Sequence, residues 1–118
     1  MLDSLTDFHD GAIRFTLPSK LVRYIEFENI VVFLLDEEGK QDKIIGVKYS
    51  REGGINHFYI AWEFQIIDGL NRIHRIHSLK KQNHKGKETV HCYGGGFDME
   101  FYLNPDTGEI IDEIFSRW

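Results

Sequence analysis

Phe97-Asp98-Met99-Glu100-Phe101-Tyr102-Leu103, then Asn104-Pro105-Asp106-Thr107-Gly108, then Glu109-Ile110-Ile111, is the stretch from which the fold class is read. In an extended chain Phe97, Met99, Phe101 and Leu103 point to one side and Asp98, Glu100 and Tyr102 to the other, the two-residue period of a half-buried strand. Pro105 fixes one backbone dihedral, Asn104 and Asp106 carry side chains that bond their own backbone, and Gly108 supplies a positive-φ position. The stretch predicts a β-hairpin. It also gathers acid: Asp98, Glu100, Asp106, Glu109, Asp112 and Glu113 stand against only Arg117 between residues 98 and 118.

The rest of the chain reads the same way. Residues 1–10 suggest an entry segment with a helical turn capped by Asp3 or Ser4. Ala12–Leu17 and Leu21–Glu28 alternate as strands, the second with two faces of mixed character. Ile30–Leu35 is apolar and rich in β-branched residues, which predicts a central strand buried on both faces. Asp36-Glu37-Glu38-Gly39-Lys40 reads as a turn with exposed acids, Lys43–Ser50 as its return strand, and Gly53-Gly54 as a further hinge. In Asn56–Ile67, Phe58, Ile60, Trp62 and Phe64 share a face under strict alternation. Asp68-Gly69 is a hairpin signal. Residues 70–79 fit either a strand or a helix, and the strand is preferred because Asn56–Ile67 would lie beside it. Gln82–Lys87 reads as a polar loop, Glu88–Tyr93 as a short strand, and Gly94-Gly95-Gly96 as a bulge or close backbone crossing. The expected fold is mainly β, an antiparallel β-sandwich or open barrel of about nine strands with little helix.

At 118 residues the chain has the length of one domain, 1–118. A hydrophobic share of 42% and an aromatic share of 14% supply a ring-rich core. A single cysteine, Cys92, forms no internal disulfide. Residues 1–17 lack the basic start and apolar run of a secretory leader. The longest apolar run, Ile30–Leu35, is far short of the roughly 20 residues that span a bilayer. These features lead to the expectation of a cytoplasmic protein with no membrane partner. The net charge is −5, yet residues 71–87 hold Arg72, Arg75, Lys80, Lys81, Lys85 and Lys87 and no acid. Without those six the balance is 8 basic against 19 acidic residues, or −11. An acidic body repels nucleic acid and attracts basic partners, and the basic run reads as a solvated face.

Few residues offer chemistry. Among six histidines, His74 and His77 share a face only in a helix, so on a strand they form no metal pair. His91 and Cys92 are adjacent and face opposite ways on a strand, which makes Cys92 a structural thiol rather than a nucleophile. His9-Asp10 is half of a dyad without a nucleophile. Gly94-Gly95-Gly96 lacks the Lys and Ser/Thr of a phosphate loop, and Asn104–Gly108 lacks calcium-loop spacing. The chain is therefore expected to be no enzyme and to hold neither metal nor cofactor.

Phe8-His9-Asp10-Gly11-Ala12-Ile13 and Phe101-Tyr102-Leu103-Asn104-Pro105-Asp106-Thr107-Gly108-Glu109-Ile110 resemble segments of small bacterial immunity proteins, which neutralise polymorphic or contact-dependent toxins. The Asn104–Ile110 turn also resembles the hairpin of PepSY-type domains. Immunity proteins share no catalytic residues and span many folds. The resemblance implies an antitoxin that occludes a basic toxin, a nuclease above all. It acts as a monomer or homodimer and makes no direct contact with nucleic acid. The contact residues expected from the charge layout are Asp36, Glu37, Glu38, Asp98, Glu100, Asp106 and Glu109, with Tyr102 as an aromatic anchor. The alternative is a small-ligand or accessory binding domain with an aromatic pocket lined by Phe58, Trp62, Phe64 and Phe97.

Overall fold

The computed structural model describes residues 7–10, 13–16, 20–37, 40–52, 55–67, 69–94 and 99–115, and among them there is no helix. Twelve strands follow one another: β1 (Asp7–Asp10), β2 (Ile13–Thr16), β3 (Lys20–Glu26), β4 (Ile30–Glu37), β5 (Lys40–Glu52), β6 (Ile55–Phe64), β7 (Ile66–Ile67), β8 (Ile73–His74), β9 (Ile76–His84), β10 (Lys87–Gly94), β11 (Met99–Leu103) and β12 (Ile110–Phe115). Two four-stranded antiparallel sheets, ordered β3-β4-β5-β6 and β12-β11-β10-β9, make an open β-sandwich, and β1-β2 and β7-β8 are two-stranded additions. The strands beyond the expected nine come from β1 and from breaks at Gln65 and Arg75.

The sheets meet over a shared core. Ile30, Val32, Leu34, Ile44 and Trp62 from the first pack with Leu79, Val90, Cys92, Phe101 and Leu103 from the second. Phe64 and Phe101 cross between them edge to face, with ring centroids 5.3 Å apart. The opposite face of β4 and β5 buries a second cluster of Phe33, Leu35, Ile45 and Val47. Strand β4 is thus buried on both faces, as its unbroken apolar run predicts.

Strand β6 departs from simple alternation. Gly46 pairs with Trp62 and Val47 with Ile60, so Ala61 is an extra residue in a β-bulge. The bulge reverses the sidedness of the strand. Trp62 and Phe64 face the shared core, whereas Phe58 packs toward the second cluster and Ile60 stays 43% exposed. The four residues do not form one buried face, because one inserted residue changes the parity.

Trp62 is fixed by two glycines and one hydrogen bond. Its indole lies against Gly46, its cross-strand partner, where an added Cβ would overlap the ring. It also lies against Gly108, where a Cβ would come within 2.5 Å of the indole. The indole N–H donates to the Pro105 carbonyl at 2.8 Å. The loop after β11 is therefore pinned to β6. It also closes on itself: Asn104 Oδ1 accepts from the backbone N–H of Asp106 at 2.8 Å, and the Gly108 N–H donates to the Asn104 carbonyl at 2.7 Å. Gly108 has φ +73°, the left-handed region that a β-branched residue disfavours.

Other turns differ from expectation. Gln82–Lys87 is mostly strand, and β9 joins β10 through Lys85-Gly86 alone. Both have positive φ, 53° and 85°, the geometry that matches strand twist in a two-residue hairpin. Within residues 70–79, Ile73–His74 and the stretch from Ile76 on are strand, but their partners are not Asn56–Ile67 as a whole. Only Ile66 and Ile67 pair with β8, and β9 pairs with β10. Gly94 sits at a register shift, and an added Cβ there would meet the Arg75 carbonyl, which is the close crossing expected at the glycine run. Gly53-Gly54, Asp68, Gly95, Gly96 and Phe97 lie outside the described residues, as do Asp3 and Ser4.

Trp62→Ala is expected to cost about 3–5 kcal/mol in denaturant unfolding, because the ring is 7% exposed and leaves a cavity. Gly46→Ala is expected to destabilise the wild type and to do so by about 1–3 kcal/mol less in the Trp62→Ala background, since the three atoms nearest its added methyl all belong to the indole. A double-mutant cycle by urea titration checks both.

Candidate partner-binding surface

Of the acidic residues singled out in the sequence, Asp36 and Asp106 lie at opposite ends of β4, Asp106 beside Glu28 and Asn29. Asp36 is near its C-terminal end, seven residues or about 23 Å along the strand from Asn29. It is not an exposed turn acid: it pairs across the sheet with Gln41 and Lys20, is half-buried, and has one carboxylate oxygen shut off from solvent. The apolar run carries β4 on through Glu37, so the turn starts later than the acids suggest. The Glu37 side chain, Glu38 and Asp98 lie outside the described residues.

Glu100 and Tyr102 belong to the outer face of the second sheet, and both are already engaged. Tyr102 is 6% exposed. Its ring stacks on His84 at 3.8 Å between centroids and tilts against His91 at 4.8 Å. Strand β11 lies between β10 and β12, so its outward side chains are flanked by neighbours, which alternation along one strand does not reveal. Tyr102 is thus a packed ring and not an exposed anchor. Two imidazole–carboxylate pairs flank it: His84 Nε2 with Asp112 Oδ2, and His91 Nε2 with Glu100 Oε1, both at 2.9 Å. A carboxylate only accepts, so each Nε2 carries the proton. The other ring nitrogen of His91, Nδ1, is buried and has no hydrogen-bond partner. Burial and the charges of Glu100 and Asp112 push the Tyr102 hydroxyl up, and a hydrogen bond with Gln82 works the other way. The His84 hydrogen bond, aided by Lys85 3.5 Å away, holds the Asp112 carboxyl below its usual value.

Six acids carry no ion pair among the described residues: Glu26, Glu28, Asp36, Asp106, Glu109 and Glu113. Asp36 is half-buried and the other five are exposed. Glu28 and Asp106 border an open pocket of about 380 Å³ with a partly apolar lining of Phe27, Pro105 and Ile111. Glu88, also on its wall, is tied to Lys81 at 3.4 Å. Sequence reasoning finds Asp106 and Glu109 but not Glu28 or Glu113 as contact residues. Nothing local marks them, because the turn before β4 reaches the β11–β12 loop only through the sandwich.

The remaining candidates are placed as follows. Cys92 faces the core, opposite to its neighbour His91, and burial pushes its thiol up to about 12. Among the described residues no group of three His, Cys, Asp or Glu side chains is placed to hold a metal ion. No helix is long and apolar enough to cross a membrane. Trp62 and Phe64 lie on one face of β6 and Phe58 on the other, so the three described rings of the expected aromatic pocket do not line one cavity. The basic residues from Arg72 to Lys87 are exposed, with Lys81 on Glu88 and Lys85 on Asp112.

Two outcomes follow from these environments. Native protein is expected to leave Cys92 unmodified by iodoacetamide at pH 8 and to react fully once unfolded, as read by mass spectrometry. The depressed Asp112 contributes stability that is present above its unfolded value, about 3.9, and is lost as pH falls through the lower folded value. Unfolding titrations from pH 5 down to pH 2 are expected to show a shallower acid loss in Asp112→Asn than in the wild type.

Comparison of the chain with protein-family models, with curated proteins and with solved structures finds no match.

Proposed function

We propose that this chain is an immunity-type protein that binds and occludes a basic toxin, a nuclease above all, through acidic side chains at the β11–β12 end of the sandwich. The observation that carries the reading is the set of unpaired, exposed carboxylates, Glu28, Asp106, Glu109 and Glu113, beside a pocket with apolar walls. Elsewhere on this sheet acids are matched: Glu88 by Lys81, Asp112 by His84 and Lys85, and Glu100 by His91. Unmatched charge raises the field that steers an oppositely charged partner, while apolar walls supply area whose burial holds it. Asp106 and Glu109 stay at the centre of the surface, Glu28 and Glu113 join them, and Tyr102 supports the sheet from within it. The partner is a protein, and the carboxylates take the place that nucleic-acid phosphates have on a nuclease.

The test is co-expression with any toxin-like reading frame found beside this chain's gene. Wild type is expected to rescue growth, and Asp106→Lys with Glu109→Lys is expected to fail while remaining folded by circular dichroism. For the purified pair, raising salt is expected to slow association, and the double reversal to weaken binding by about tenfold or more. Binding that ignores salt, or that depends only on Lys80 and Lys81, overturns the proposal.

A further inference from the structure

We propose that the free edge of β12 is the docking strand for this partner, and that it takes an extended basic segment as a fifth antiparallel or parallel strand of the sheet; this rests on the acidic-surface reading above and specifies how the partner is held.

Each four-stranded sheet has two edges, but they are not equivalent. Strand β9 lies against β3 of the other sheet, and the Gln41 side chain donates to the Ile76 carbonyl across that flank at 2.7 Å. All four edge strands, β3, β6, β9 and β12, pair on one side only among the described residues, but β3 and β9 pack against each other, which leaves β6 and β12 to compare. An unpaired edge presents a row of N–H and C=O groups that another chain can extend, and proteins blunt such edges with Lys, Pro or a covering element. From Glu109 to Phe115 there is neither Lys nor Pro. A bulge falls at the beginning of β12, between its pairings with Leu103 and Tyr102, and the register from Asp112 to Phe115 is regular. Six residues, about 20 Å, is an ordinary strand length for such pairing.

The side chains say what would pair there. Ile110, Ile111 and Ile114 are 49%, 44% and 39% exposed, an apolar surface along the edge. Glu109 and Glu113 are exposed and unpaired beside them, and Asp112 adds a third carboxylate. A second copy of the chain fits poorly. An antiparallel two-fold pairing centred on Asp112 or on Glu113 sets that acid opposite its own copy, and like charges directly across a ladder destabilise it. Each face of β12 carries an acid and an isoleucine, Asp112 with Ile114 and Glu113 with Ile110, so an extended segment that is basic and also contains apolar residues meets both kinds of side chain. The β6 edge lacks this pull: its exposed Tyr59 and Ile60 have only Glu63 nearby in the strand, and Glu63 is held by Lys43 at 3.3 Å. Strand addition takes affinity from main-chain hydrogen bonds and selectivity from alternate side chains.

The experiment compares two peptides of equal charge, an acetylated and amidated repeat of Lys-Val and the matching repeat of Lys-Pro, added to the full chain. Proline lacks the N–H a ladder needs. Backbone NMR shifts and amide exchange are read on every strand. Lys-Val is expected to bind and to protect amides of β12, Lys-Pro to bind about tenfold more weakly or less, and Glu109→Lys with Glu113→Lys to abolish the difference. Equal binding of the two peptides overturns strand addition and leaves the acidic surface standing. Protection on β6 or within residues 71–87 instead, or no binding of either peptide, also overturns it. Protection of β12 that grows with protein concentration before any peptide is added assigns the edge to a second copy. Rescue from the toxin is scored separately, so a failure of docking mode and a failure of function are told apart.

Discussion

A tryptophan in a thin sandwich needs a floor without side chains, and Trp62 has one. Gly46 on β5 and Gly108 in the β11–β12 loop both leave room for the indole, and Pro105 accepts its only polar hydrogen. This contact ties the last hairpin to β6 in the other sheet. It also explains why the loop holds the left-handed residue where it does: the φ of Gly108 turns the chain, and its missing Cβ admits the ring. The bulge at Ala61 belongs to the same arrangement, since it brings Trp62 to the core face after Phe58 and Ile60 have pointed the other way. The exposed acids of the loop are therefore carried on a platform fixed from below.

Much of this was legible in one dimension. The alternation of Met99, Phe101 and Leu103 assigns the core face of β11, the unbroken run from Ile30 marks the doubly buried strand, and Gly108 declares its positive φ. What was not legible has a common physical origin. Alternation gives the parity of a side chain but not what its neighbours put over it. Tyr102 and Glu100 point outward as expected, yet histidines from β9 and β10 cover and bind them. An extra residue is silent in sequence, so the change of face within β6 went unseen. The Lys85-Gly86 turn lacks the Asn or Asp that usually marks a two-residue hairpin, and a polar stretch around it reads as loop although it is ladder.

The acidic character of the chain is divided by these contacts into two kinds. On the outer face of the second sheet, carboxylates are used internally: they fix imidazole orientation and brace adjacent strands across Tyr102. Asp106 and Glu109 in the loop and Glu113 on β12 are exposed carboxylates without an ion pair among the described residues. A count of net charge treats both alike. Only the second kind is available to a partner at little desolvation cost, because a carboxylate already paired would have to give up one hydrogen bond to make another. The candidate surface is consequently smaller than the sequence implies and more sharply placed.

The order of strands carries one more consequence. Both large sheets are simple meanders, β3 to β6 and β9 to β12, each strand paired with its neighbour in the chain. Strand pairing therefore joins neighbours in the chain, with paired residues at most 20 apart, as Ile44 and Phe64 are, whereas contacts between the sheets, such as Gln41 with Ile76, reach further. Pairing between chain neighbours favours formation of each meander before docking. The larger, shared cluster forms only when both halves meet. The chain is best viewed as two local ribbons in series that become one cooperative unit only when they dock, and the passage between Phe64 and Ile76 is the covalent tether that sets how often they meet.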